Sequence, residues 1–196
     1  MRAAALAILA FVSGCAFTAE TVRLEPPING KPIAGAERVE LQLVVQDLRR
    51  DASEVVARKI NGMGIRMAAI SSETPIAEVI SRTATLALKT FGYRVADSAN
   101  VKLVIELISF NHEFRTGFWV GKSEAQVIAQ IIVRSPANQE LYRKVLTEDF
   151  SHDIQLATGP NVKKAYEGAL SALFEVLFSV EAFRAALATG AAVPAL

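Results

Sequence analysis

Few residues of this chain have the type and spacing that chemistry needs. Cys15 is the only cysteine, and a cysteine thiolate is a strong nucleophile. His112 and His152 are the only histidines, each followed by an acid, Glu113 and Asp153. They lie far apart in the chain and could form a site only if their strands pair closely, so structural or exposed roles are expected for both. Asn61-Gly62-Met63-Gly64 carries two glycines, but neither a lysine nor a helix start follows, which makes it a turn and not a phosphate loop. Ser13, Ser71 and Ser72 fall in no nucleophile-elbow pattern. Acidic residues are scattered, usually beside a basic one, and suggest no poised carboxylate pair. The expectation is a chain with no catalytic residues, no metal and no cofactor.

Cys15 is different because of what precedes it. Residues 1–14 read MRAAALAILAFVSG. Arg2 is their one charge, and the apolar run after it is too short for the roughly 20 residues that span a bilayer. It has the length and flanks of a signal-peptide core. Val12-Ser13-Gly14-Cys15 then fits the lipobox: an aliphatic residue, two small ones that a peptidase can grip as extended backbone, and a cysteine. On this reading the chain is cut between Gly14 and Cys15, the thiol takes a diacylglycerol, and the new amine is acylated. Each buried methylene contributes about 0.8 kcal/mol, so two or three chains hold a protein on a membrane where one would not. Ala16 follows where Gram-negative lipoproteins kept in the inner membrane usually have aspartate. That likeness implies the outer membrane, facing the periplasm.

Loss of residues 1–14 removes Arg2 and brings the formal charge from +1 to zero. No basic field is left to attract nucleic acid or anionic lipid. With Cys15 acylated there is no disulfide, and the fold must stand on its core. The remaining length suits one domain.

The elements follow from pattern. Residues 15–37, with Pro26, Pro27, Pro32, Asn29-Gly30 and Gly35, read as a lipidated N-terminus and flexible tether with a mean reach of roughly 25 Å. The alternative is an edge strand in which Val22 and Leu24 alternate. Val39, Leu41, Leu43 and Val45 alternate as a strand with one buried face. Segments 55–60 and 65–70 flank the glycine turn as strands. Thr74-Pro75 opens a helix over about 75–91, whose apolar face runs from Ile76 to Phe91 and which Gly92 closes. A short strand at 93–95 and longer ones at 101–110, 122–133 and 141–154 follow, the last three joined as an antiparallel meander. A second long helix spans about 161–187, and 189–196 is a frayed tail. The order implies an α+β domain over 38–188: one antiparallel or mixed sheet with two long helices on one face.

Arg115-Thr116-Gly117-Phe118-Trp119-Val120-Gly121-Lys122 stands apart. It holds the only tryptophan between two strands, where a hairpin tip should be polar. Phe118, Trp119 and Val120 are therefore candidate contacts for a partner or the bilayer surface. The alternative is that the strands run through the segment and its aromatics cover the core.

The lipobox, the strand at 39–45, the Thr74-Pro75 helix ending in Phe91-Gly92-Tyr93 and the strand pair around 101–133 resemble, in that order, the YajG family of bacterial lipoproteins. The resemblance covers about 40–187 and the signal. It implies an outer-membrane-associated lipoprotein and carries no biochemical activity with it. The expected role is a non-catalytic module that binds an envelope protein, anchored through Cys15. The alternative is a carrier or sensor of an apolar ligand, a lipid or cell-wall fragment, held between helices and sheet.

Overall fold

Parallel pairing of one early strand decides the layout. A computed structural model describes residues 18–61, 63–115, 117 and 120–192. Strand β2 (Glu40–Asp47) pairs in parallel with β5 (Arg94–Val95) on one side and with β6 (Val101–Arg115) on the other. The segments that follow β2 in the chain do not add to it as a hairpin. They form a separate sheet: β3 (Val55–Ile60) antiparallel to β4 (Arg66–Ser72), with β1 (Glu20–Val22) parallel to β4 on the far side. The large sheet continues from β6 to β7 (Gly121–Arg134) and β8 (Glu140–Ile154) as an antiparallel meander, in the order β5-β2-β6-β7-β8. It curls into a half-barrel.

Three helices line the inner face of that curl: α1 (Ile76–Thr90), α2 (Gly159–Ser179) and α3 (Glu181–Ala192). Inward side chains of the large sheet, among them Leu41, Leu103, Ile105, Ile131 and Val133, are fully buried with Ile80 and Leu88 of α1, Leu170 and Leu173 of α2, and Leu187 of α3. None of the helices among the described residues is long and apolar enough to cross a membrane.

The α+β expectation of one sheet under two helices is thus corrected to two sheets and three helices. The expected helix 161–187 breaks at Val180, which is extended at φ −71° and ψ 115°. The break turns α3 so that Phe183 enters the core edge-on to Phe178, 5.5 Å between ring centroids. The tail expected from residue 189 is helical as far as Ala192, with Gly190 buried. The first helix begins one residue later than expected, with Pro75 in the capping place. It ends as expected: Gly92, at φ +95°, lets its own N–H reach Lys89 O and that of Tyr93 reach Leu88 O, the double bond of a glycine C-cap.

The segment expected to be a tether is packed from Glu20 on. Glu20 accepts from the Gly159 N–H and pairs with the buried Lys59 ammonium. Val22 and Leu24 are buried. The Glu25 N–H is held by Glu167, and Ser171 Oγ donates to Pro27 O at 2.6 Å. Ile33 N–H donates to Phe91 O at 2.9 Å. The prolines therefore stiffen a strap laid over α2 and the end of α1.

Candidate functional site

Where β6 outruns β2, its inner face changes character. A register shift between Leu107 and Ser109 moves the inward positions from odd to even residues, as a bulge does. Phe110, His112 and Phe114 now point inward, beside Ser123 and Ala125 of β7 and Phe150 and His152 of β8. Strand β3 lies across this distal half. Between β3 and the ends of β6, β7 and β8 runs a cleft of about 1410 Å³, lined also by residues that alternate with these, Glu113, Arg115, Glu124, Asp149 and Ser151.

Tyr166 of α2 fixes the cleft's inner end. Its ring stacks on Phe110 at 3.9 Å and 2° between planes. Its hydroxyl donates to Val56 O of β3 at 2.9 Å and lies 3.3 Å from Phe110 O of β6. One buried phenol thus joins helix, small sheet and large sheet, and burial raises its pKa. Arg49, almost buried, forks onto Asp47 at 2.7–3.1 Å and lies 6.0 Å over the Phe110 ring. The hydrogen bonds from Arg49 hold the Asp47 carboxyl below its usual range. Toward the mouth the lining is charged in both signs: Arg58, Arg66 and Arg115 against Glu113, Glu124 and Asp149. Strand β3 is the edge of its sheet and lines the cleft along its length.

Behind the cleft sits a polar cluster. His112 Nε2 is 2.8 Å from Ser123 Oγ, and that hydroxyl donates to Asn161 O at 3.1 Å. A hydroxyl has one proton, so His112 supplies Nε2–H and Ser123 accepts. His152 Nε2 stands 3.3 Å from Asn161 Oδ1. Asn161 in turn donates to Leu156 O at 2.8 Å. Both Nδ1 atoms are buried without a hydrogen-bond partner. Burial, and then the neighbouring His152, lower the His112 pKa to about 4. A serine nucleophile needs the opposite tautomer and a group orienting the far nitrogen. What this arrangement does is tie β6, β7 and β8 to the first turn of α2.

The two histidines, expected in structural or exposed roles, are thus brought together through Ser123 and Asn161. Ser123 was missed; its signal was a small polar residue in phase with Ala125, Val127 and Ala129. No group of three or more metal-ligating side chains occurs among the described residues. Gly14, Cys15, Phe118 and Trp119 lie outside the described residues. Val120, the third contact candidate, is exposed in the link between β6 and β7.

A protein of Xanthomonas campestris has the same fold, with a TM-score of 0.57 at 13% identity, covering 84% of this chain and 97% of that one. A minor lipoprotein from Acinetobacter baumannii matches with a TM-score of 0.44 at 10% identity, covering 83% and 95%. No curated protein matches the chain. The family model described as "Uncharacterized lipoprotein" matches residues 26–188, and the chain belongs to that lipoprotein family.

Proposed function

We propose that this is a YajG-like lipoprotein of the outer membrane, facing the periplasm, cut before Cys15, acylated there, and acting as a non-catalytic module that binds an extended segment of an envelope protein. The cleft carries the reading. Its charges are balanced, its floor is aromatic, and one wall is the edge of a sheet. An extended polypeptide can add to such an edge and place alternate side chains on the two linings. The same polar lining disfavours an apolar ligand. The space between helices and sheet, where such a ligand was expected, is filled by side chains such as Leu170, Leu173 and Phe174.

The test is in-cell crosslinking from a photoreactive residue placed at Ser151, which lines the cleft and is exposed. One discrete crosslinked protein is expected, reduced by Arg58→Glu and absent when the label sits at Val145, on the same face of β8 but outside the cleft lining. Equal yields from both positions would sink the cleft as the binding site. Cys15→Ala tests the anchor separately: the variant should accumulate unprocessed and lose membrane retention.

A further inference from the structure

The packing of the N-terminal strap leaves very little chain between lipid and domain. Glu20 is fixed in β1, and only residues 16–19 separate it from Cys15. An extended chain covers at most about 3.3–3.6 Å per residue, so Glu20 stays within roughly 17 Å of the acylated residue. The domain cannot swing freely. With Cys15 acylated, one end of it stays within that reach of the bilayer.

Which end follows from register. Strands β1 and β4 are parallel, with Glu20 opposite Ile70, so the chain enters β1 from the side where β4 begins, that of the 61–65 turn. Gly159, at the start of α2, is held by Glu20. Ahead of it runs the 155–158 loop, and Ile154 pairs with Gly121, which sets that loop beside the link between β6 and β7. The cleft mouth bridges the remaining pair, since Gly64 and Arg66 line it together with Phe114 and Arg115. The 61–65 turn, the β6–β7 link and the 155–158 loop therefore share the anchored end.

That end gathers four large exposed apolar side chains, the two most exposed among the described residues included, while others such as Leu48 and Leu86 are scattered elsewhere. Met63 is 80% exposed, Leu156 63%, Ile65 54% and Val120 50%. Single exposed aliphatic residues are ordinary on any surface; several gathered at one end are not. Arg66, also exposed there, supplies a cation at the level of lipid phosphates.

We infer that this end is a membrane-contact surface: Met63, Ile65, Val120 and Leu156 sit in the headgroup layer of the leaflet that carries the Cys15 lipid. The contact sets the domain's orientation and turns the cleft mouth toward the membrane surface. The inference rests on acylation of Cys15.

The test uses the mature lipidated protein in vesicles of phosphatidylethanolamine and phosphatidylglycerol. Because the Cys15 thiol is consumed by its lipid, one introduced cysteine is the only labelling site. Met63→Cys, Val120→Cys and Leu156→Cys are each labelled with an environment-sensitive fluorophore, with Val145→Cys as the control. Val145 is equally exposed, at 50%, but lies mid-strand opposite Gln130. Quenching by lipid-borne nitroxides is expected at the three end positions and not at the control. Protein that floats with the vesicles but is quenched alike at all four positions overturns the contact surface and leaves the anchor standing. A blue shift without lipid quenching also overturns it and makes the end a protein interface. Protein that does not float at all overturns the anchor, and the inference with it.

Discussion

The two halves of β6 lie in one strand and follow different rules. From Val101 to Leu107 the inward residues are aliphatic and meet other aliphatic side chains. Beyond the register shift they are Phe110, His112 and Phe114, and they meet one another, Ser123 and Tyr166. The first half is a core in the ordinary sense, and its stability comes from apolar area removed from water. The second is held by a few directed contacts and borders an open cleft. A binding site belongs with the second kind of packing, since groups committed to a core cannot also meet a ligand. The bulge separates the two.

The contrast is broken or kept first by truncation. Ile105→Ala removes a fully buried side chain amid filled packing and should cost about 2–5 kcal/mol. Phe114→Ala removes a larger one, but from the cleft wall, where its described ring contact is the edge of His112 at 4.5 Å. It should cost less than Ile105→Ala despite its size. Urea midpoints at unchanged slope measure both. If Phe114→Ala proves the costlier, the distal half is core after all.

Acid separates the halves next. His112 is buried neutral, with a folded pKa of about 4 against an ordinary 6.5. A base with a depressed folded pKa contributes fully above its unfolded pKa. As pH falls from 6.5 to about 4, the unfolded chain takes up the proton first, so stability drops through that window and then levels off. The gap corresponds to up to about 3 kcal/mol. Glu148 works the other way, since burial and then Asp149 raise its pKa and acid relieves it. His112→Gln isolates the histidine: the variant should lose less stability between pH 7 and pH 4 than the wild type. Equal losses would mean that His112 is solvated and that the polar cluster opens in solution.

How far this could be read in the sequence depends on the range of the interactions. Strands β2, β6, β7 and β8 and the glycine-capped helix α1 were readable because alternation, a proline start and Gly92 are local signals. The break at Val180 was not, because it carries neither glycine nor proline and the apolar period runs through it. The strap is hard to read for a related reason. Prolines and glycines look alike in a tether and in a packed strap, and what holds this one is Glu167, Ser171 and Gly159, more than a hundred residues away. Pairing fixed the second sheet, and pairing is not local either. The cluster joins His112 and His152 through Ser123 on a third strand and Asn161 at the start of α2, which no spacing rule reports. The lipobox residues and the aromatic pair 118–119 were readable as motifs, and their positions lie outside the described residues.

The smallest expected effect on global stability is the most local. Tyr166→Phe keeps the stack on Phe110 and deletes only the hydroxyl that reaches Val56 O and Phe110 O. A net cost of about 1–2 kcal/mol is expected, the price of leaving a buried carbonyl under-satisfied. That bond is a direct polar link from α2 to β3, so the loss should fall unevenly. Amide exchange should quicken in β3 and β4 while Leu103, Ile105 and Ile131 keep their protection, because local openings need only break what holds the local unit. A small sheet that loosens alone would widen the cleft without unfolding the core, and peptide binding would weaken at little cost in midpoint. Uniform loss of protection would instead make the two sheets one cooperative unit, with a cleft of fixed width.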